Sequence, residues 1–193
     1  MDDSFRFNDP RALPFAPMRF RGVLPHLEKD GGVYFVTFRA WDAVLRSPDS
    51  VPDDASPETV AERSEPPLTR GACVLARPEV AEIVTGCLGH FDGDRYHLAA
   101  WVVMPNHAHA VVAPAPPHSL ASILHTWKSY SAHRINRLLG LSGPFWEREY
   151  FDHLIRSEAA LARFVEYVHQ NPVSAGLCTR PEEWPASSAH PGA

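Results

Sequence analysis

The sequence predicts a single α+β domain in which helices pack on one face of an antiparallel sheet. Two observations predict this class: segments with strand and helix character alternate along the chain, and a tight connection joins two consecutive strands in its middle. That hairpin makes a doubly wound parallel sheet less favoured. A length of 193 residues with 45% hydrophobic residues is enough for one well-buried domain.

The composition excludes several classes of protein. The formal net charge is −5, so a nucleic-acid function must depend on local sites rather than on an overall basic balance. The three cysteines form no C-x-x-C pair, which argues against a disulfide scaffold and a thiolate zinc site. The N-terminus does not resemble a secretory signal, and no stretch approaches the roughly 18 apolar residues of a membrane helix. We therefore expect a soluble, cytoplasmic protein without a membrane partner.

The first part of the chain contains one strand and two irregular segments. Residues 1–18 carry several prolines without a clear period and predict an N-terminal extension. Residues 32–40, GVYFVTFRA, are rich in β-branched and aromatic residues and predict a strand. Residues 46–70 contain five prolines, six acidic residues and three arginines. About half of the net negative charge therefore lies in this stretch. It predicts an acidic, proline-rich insert that is a loop or partly disordered.

The middle of the chain predicts a helix followed by a hairpin. Residues 77–91 have an apolar stripe at helical spacing, with a proline suited to the first turn. Residues 96–105 and 107–114 predict two strands, and the Pro-Asn between them marks a tight connection. Residues 143–156 are rich in aromatic residues and predict a segment that is extended in part.

Two amphipathic helices complete the predicted domain. The first covers residues 119–140, where Ser119 is suited to cap the start and Gly140 to end the helix. The second covers residues 157–171 and begins at Ser157, another residue suited to N-capping. Both have a buried stripe at the spacing typical of a helix that packs on a sheet.

The stretch MPNHAHAVV contains a pair of histidines, His107 and His109, on a predicted strand. Residues i and i+2 of a strand point to the same face, roughly 6–7 Å apart, so the two imidazoles project together and Ala108 points to the opposite, packed face. Two neutral imidazoles on one face can share a divalent cation if a third ligand is supplied from elsewhere. The alternative is polar residues on the solvated face of a strand, and it is favoured for such a pair alone.

The second helix supplies candidates for the remaining roles. Tyr167 and Asn171 are spaced i, i+4 and lie on one helix face, and Pro172 disfavours continuation of the helix at Asn171. An oxygen of Asn171 completes a His-His-Asn set for Mg²⁺ or Mn²⁺. A tyrosine beside such a metal can act as a nucleophile on a phosphodiester. The alternative is a tyrosine at the edge of the core and an asparagine as helix C-cap.

The combination of motifs resembles a known family. The segments VVMPNHAHAVV, LHTWKSYSAHRINRLLG, FWEREYFDHLIRSEAAL and EYVHQNPVSAGL…PEEWPASS occur in this order. They resemble the single-tyrosine HUH transposases, and most closely their branch associated with repetitive extragenic palindromes (REP). The resemblance covers about residues 19–188 and leaves a short tail at 189–193. It departs from the family at Ala108, where bulkier aliphatic residues are usual, and in the insert 46–70, which is longer than the core fold requires.

The resemblance implies a fold, a reaction and a set of residue roles. The fold is a ferredoxin-like or RRM-like antiparallel sheet. His107 and His109 match the HUH pair, Tyr167 the nucleophile and Asn171 the third ligand of Mg²⁺ or Mn²⁺. The implied enzyme is a DNA endonuclease and strand-transferase on single-stranded, REP-like hairpins, in which tyrosine attack on a phosphodiester leaves a 5′-phosphotyrosine. We expect a monomer or a homodimer.

The sequence also offers candidate DNA contacts and alternative functions. Basic residues interleaved with aromatic residues predict DNA binding at four positions, Lys128, Arg134, Arg148 and Arg156. Two other tyrosines, Tyr130 and Tyr150, are rival nucleophiles, but neither has an amide or a carboxylate four residues further on. Two alternative functions remain open: a protein that binds structured single-stranded DNA without cleaving it, and a metal hydrolase that uses water as its nucleophile.

Overall fold

A computed structural model describes residues 19–20, 25–26, 29, 31–43, 54–64, 68 and 71–193. The predicted extension 1–18 and much of the insert 46–70 lie outside the described residues. The strands are β1 (Arg19–Phe20), β2 (Pro25–His26), β3 (Val33–Arg39), β4 (Tyr96–Val103), β5 (His107–Pro114) and β6 (Phe151–Ile155). The helices are α1 (Pro57–Ser64), α2 (Pro78–Gly89), α3 (Leu120–Leu139) and α4 (Glu158–Ser174).

A four-stranded antiparallel sheet with the order β4-β5-β3-β6 forms the centre of the molecule. The predicted hairpin is confirmed: β4 and β5 pair antiparallel, and the amide of Met104 donates to the carbonyl of His107 at 2.8 Å within their connection. β5 is an inner strand, paired with β4 on one side and with β3 on the other. β1 and β2 form a separate antiparallel pair. The predicted α+β class with an antiparallel sheet is therefore confirmed.

Helices cover both faces of this sheet, whereas the sequence predicts helices on one face. Even-numbered residues of β3, such as Phe38, pack in a cluster with apolar residues of α2 and α3, and the ring of Phe38 lies 6.3 Å from that of Trp127. Odd-numbered residues such as Phe35 pack in a second cluster with Phe164 of α4. The physical reason is that every residue of β3 is buried, and a continuous apolar strand requires cover on both faces.

Helix α3 begins and ends where its capping residues predict. The hydroxyl of Ser119 accepts from the amide of Ser122 at 3.2 Å, and Gly140 adopts the left-handed conformation at a φ of 66°. The predicted stripe is buried over most of its length, including Trp127 and Ile135. Leu138 near its end is 48% exposed, whereas the neighbouring Leu139 packs against the apolar cluster.

Helix α4 differs from the prediction at its C-terminal end. Its N-cap is confirmed, since the hydroxyl of Ser157 accepts from the amide of Ala160 at 3.1 Å. However, the helix continues through Pro172 to Ser174, so Asn171 lies inside the last turns and is buried. Pro172 itself is buried, and its carbonyl accepts from the amide of Leu177 at 2.9 Å. Burial and this local bond offset the helix hydrogen bond that a proline cannot donate.

The insert 46–70 contains a helix, which corrects its prediction as a loop or partly disordered segment. Pro57–Ser64 form α1, which contacts α4, and Val60 is fully buried in the same apolar cluster as Phe164 and Val168. A two-turn helix is not stable by itself, so this contact with α4 supplies the stabilisation that its own sequence lacks.

The outer edge of β4 is covered by the C-terminal part of the chain. The amide of Val103 donates to the carbonyl of Ala186 at 2.8 Å, and the amide of Ser188 donates to the carbonyl of Trp101 at 2.9 Å. The indole of Trp184 also donates to the carbonyl of Val103, at 3.0 Å. These bonds satisfy backbone groups that an uncovered edge strand leaves open. No helix among the described residues is long and apolar enough to cross a membrane.

Candidate active site

The histidine pair lies on the face of the sheet that α4 covers. His107 and His109 are the first and third residues of β5, and both are at most 1% exposed. The ring of His109 stacks on Phe35 of β3, with centroids 5.1 Å apart and 25° between the planes. Ala108 points to the opposite face and is buried among residues packed with α2 and α3, as the sequence predicts. The small side chain is therefore fully enclosed at this position.

The two imidazoles face each other through their ε nitrogens. Nε2 of His107 lies 2.9 Å from Nε2 of His109. Nδ1 of His107 donates to Oδ1 of Asn106 at 2.8 Å, which makes Nε2 of that ring the acceptor nitrogen. The facing pair is therefore suited to share a proton or a cation between two nitrogens.

Two hydrogen-bonding partners orient these rings, and neither of them is predicted from the sequence. Asn106 precedes the strand and contacts His107, as described above, and Nδ1 of His109 lies 2.9 Å from Oγ1 of Thr37. Thr37 is the cross-strand partner of His109 in the pairing of β3 with β5. Both partners are fully buried. The only sequence signal for Thr37 is its odd-numbered position in β3, and using that signal requires knowing the strand pairing.

Helix α4 places Tyr167 and Asn171 beside the histidine pair. The ring centroids of Tyr167 and His109 are 6.2 Å apart, and those of Tyr167 and Phe35 are 6.1 Å apart. The amide nitrogen of Asn171 donates to the Tyr167 hydroxyl at 3.0 Å, which is the i, i+4 contact that the spacing predicts. His107, His109, Tyr167 and Asn171 are thus linked by an unbroken series of contacts.

The donors in this cluster fit a divalent metal ion. Among the described residues, no group of three or more His, Cys, Asp or Glu side chains is placed to hold a metal. A metal bound by the two histidines would need a further donor, and an amide oxygen is a donor that Mg²⁺ and Mn²⁺ accept. The two Nε2 atoms lie 2.9 Å apart, so one divalent cation would be able to contact both nitrogens. The oxygen partner at each Nδ1 is the arrangement typical of metal-binding histidines.

The predicted DNA contacts on α3 do not join the histidine face. Arg134 is exposed on α3, which packs on the other face of the sheet, and its Nη1 donates to the hydroxyl of Tyr130 at 2.9 Å. Tyr130, a rival nucleophile, is therefore held on that opposite layer. Arg148 is exposed in the loop before β6, and Arg156 is half-buried directly after β6. The role of these arginines in DNA binding stays a prediction.

Lys128 reaches from α3 to the loop before β6. Its Nζ donates to the backbone carbonyl of Arg148 at 2.8 Å. Burial lowers the pKa of Lys128 to about 8, a change that the carboxylates of Glu147 and Glu149 oppose and the Arg39 charge reinforces. The amine lies in a cavity of about 430 Å³ between α3 and this loop. Its role in DNA binding is likewise a prediction.

Known proteins resemble this chain both in sequence and in fold. Residues 77–171 match the model of the family described as Transposase IS200 like. A Haemophilus influenzae protein that carries the name REP-associated tyrosine transposase is 36% identical over 55 residues, which are 28% of this chain and 31% of that relative. The match thus spans about a third of the relative's length.

A solved structure, that of a REP-associated tyrosine transposase bound to a REP hairpin, superimposes with a TM-score of 0.60 and 20% identity. The superposition covers 88% of this chain and 83% of that one, which shows that the two share a fold. The family match extends from the start of α2 to Asn171 and so includes both the histidine pair and the tyrosine helix. Residues 77–171, just under half of the chain, therefore resemble the IS200-like transposases, and the chain shares its fold with a REP-associated tyrosine transposase.

Proposed function

We propose that this protein cleaves and rejoins single-stranded DNA that carries REP-like hairpins, with Tyr167 as the nucleophile. One observation carries the proposal: α4 packs on β5 so that the ring of Tyr167 lies 6.2 Å from that of His109. We infer a hairpin substrate because a solved transposase with the same fold is bound to a REP hairpin. The expected metal is Mg²⁺ or Mn²⁺.

The residues of the site support distinct parts of this reaction. The metal would be held by the two Nε2 atoms and by the side-chain oxygen of Asn171. The amide nitrogen of Asn171 donates to the tyrosine hydroxyl, and this bond orients the side chain within the site. A metal bound there supplies positive charge that polarises the phosphate and stabilises the transition state. Asn106 and Thr37 hold the two rings in a fixed orientation.

Tyrosine attack balances without an external energy source. A bond forms between the Tyr167 oxygen and phosphorus, and the bond from phosphorus to the 3′ oxygen breaks. The phenol proton is lost, and the departing 3′ oxygen gains one to become a hydroxyl. Because the phosphotyrosine bond replaces the phosphodiester bond that was broken, a 3′ hydroxyl can attack the phosphotyrosine and rejoin the strands.

The test uses a single-stranded hairpin labelled on the 3′ side of the cleavage site, with Mg²⁺ or Mn²⁺ present. The wild-type protein is expected to become covalently attached to the label, as detected on a denaturing gel. Tyr167→Phe is expected to give no adduct, because the phenyl ring keeps its packing but lacks the attacking oxygen. Tyr130→Phe, a control on the other face of the sheet, is expected to form the adduct at the wild-type rate.

Other outcomes distinguish the alternatives. Hairpin binding that survives Tyr167→Phe and a chelator, without cleavage by the wild type, identifies a non-cleaving DNA-binding protein. Cleavage that survives Tyr167→Phe but is lost in His107→Ala identifies a metal hydrolase with water as nucleophile. Either result contradicts the proposal.

A further inference from the structure

A buried arginine stands beside the histidine pair. Arg39 is the last residue of β3 and the direct cross-strand partner of His107, so the two side chains leave the same face of the sheet. Side chains paired in this way start only about 4.5–5.5 Å apart at their Cβ atoms. Arg39 is 3% exposed, which is unusual for an arginine.

The loop before β6 holds Arg39 in place from the other side. The amide of Glu147 donates to the carbonyl of Arg39 at 2.8 Å, and that of Trp41 donates to the carbonyl of Phe145 at 2.9 Å. Nε of Arg39 lies 2.7 Å from Oε2 of Glu147, so the two charges form a buried ion pair. The backbone and one side of the guanidinium are thus both fixed.

One terminal nitrogen of the guanidinium is not engaged by this ion pair. Among the described residues, Nη1 of Arg39 has no hydrogen-bond partner, although it is fully buried. Oε2 of Glu147 is likewise close to the guanidinium without the angles of a hydrogen bond. A structural pair of arginine and carboxylate usually forms two parallel hydrogen bonds. A buried N–H of a charged group without a partner is costly, so a ligand that supplies an acceptor would stabilise it.

The chemistry of that ligand follows from the position of Arg39. A guanidinium held at Nε keeps further N–H groups, and these suit the oxygens of a phosphate. His107, its neighbour, belongs to the cluster where the cleaved phosphate is placed in the proposed function. Before the anion binds, the carboxylate of Glu147 compensates the buried positive charge of Arg39.

We propose that Arg39 is a further catalytic residue, whose guanidinium binds a negatively charged oxygen of the scissile phosphate. This inference rests on the proposed function. It gives the charge that develops on the phosphate a second, protein-borne stabiliser next to the metal ligands.

The test combines a side-chain change with a change in the substrate. Arg39→Lys keeps a positive charge beside Glu147. However, lysine lacks the planar guanidinium group, whose several N–H donors can bind Glu147 and a phosphate oxygen at the same time. Adduct formation is measured on the hairpin with a normal scissile phosphodiester and on one with a methylphosphonate there, which has no negatively charged oxygen. Arg77→Lys is the matched control, since Arg77 forms an exposed ion pair with Glu79.

We expect Arg39→Lys to slow adduct formation roughly 100-fold on the phosphodiester, as for loss of one transition-state donor. On the methylphosphonate the loss should shrink to less than about fivefold, because the oxygen that Arg39 binds is absent. Arg77→Lys should match the wild type on both substrates. If Arg39→Lys does not fold, the double variant Arg39→Met with Glu147→Gln removes both buried charges and should give the same two ratios.

An equal loss on both substrates, or no loss on either, overturns the role of Arg39. Those results leave the proposed function standing as long as the wild type forms the adduct and Tyr167→Phe does not. A wild type without any adduct overturns the proposed function instead, and the role of Arg39 falls with it.

Discussion

Each imidazole of the histidine pair is oriented by one oxygen atom, and one of these atoms comes from a neighbouring strand. Nδ1 of His109 meets the hydroxyl of Thr37 at 2.9 Å in a fully buried environment. Valine has nearly the same shape as threonine and would fill the same space at this position. Its hydroxyl therefore matters through the orientation and basicity of the His109 ring.

Thr37→Val is predicted to weaken metal binding while the fold stays intact. The change keeps the shape of the side chain and removes the oxygen, so the His109 ring loses its fixed orientation. We expect the Mn²⁺ concentration for half-maximal adduct formation to rise about 10- to 100-fold. Thr37→Ser keeps a hydroxyl and is expected to stay close to the wild type. An unchanged Mn²⁺ requirement in Thr37→Val contradicts this role.

At the scale of elements, α4 links the site to the insert. Its inner face carries Phe164, Val168 and Asn171, while Tyr167 is half-buried beside Phe35. Helix α1 packs on α4 through Val60. The insert thus contributes to holding the helix that carries the proposed nucleophile.

Val60→Ala is predicted to reduce the free energy of unfolding by about 2 kcal/mol, because it removes two fully buried methyl groups. Chemical denaturation measures the change. Leu138→Ala, at a position that is 48% exposed, is the matched control and should cost less than about 0.5 kcal/mol. Equal effects of the two variants would show that α1 is not packed on the domain.

The local sequence predicts α3 and α4 well and does not predict α1. Helices α3 and α4 have N-caps at Ser119 and Ser157 and long apolar stripes, so their signals are contained in their own residues. Helix α1 has eight residues, many charged, and its stabilisation comes from Val60 against a helix that lies about a hundred residues further along the chain. Local periodicity carries no information about such a distant contact.

At the scale of the whole molecule, the edge of β4 is closed by the C-terminal segment. Residues 184–188 accept from and donate to the outward-facing backbone groups of Trp101 and Val103. His169 of α4 also contacts the hydroxyl of Ser188 at 3.0 Å. The segment therefore joins the sheet edge to the helix that carries Tyr167.

Removal of residues 184–193 is predicted to open this edge. The amide of Val103 loses its acceptor on Ala186, so its hydrogen exchange should accelerate roughly tenfold or more, as one net hydrogen bond is lost. The amides of β3, which is paired on both sides, provide the internal reference. Sedimentation should show concentration-dependent association through the exposed edge. Unchanged exchange at Val103 contradicts a role of the segment in covering β4.

The amino-acid sequence alone predicts the relations between residues of the same strand or helix. The spacing of His107 and His109 places both rings on one face of a strand, and the spacing of Tyr167 and Asn171 places both side chains on one face of a helix, because strands repeat every two residues and helices every 3.6. The face of the sheet that each helix covers becomes known from the three-dimensional structure: α4 covers the histidine face, and α2 and α3 cover the other. The same holds for Thr37 and Arg39, which lie opposite the histidines on β3. Strand register and helix packing arise from contacts between residues far apart in the chain, and local periodicity does not encode which elements meet.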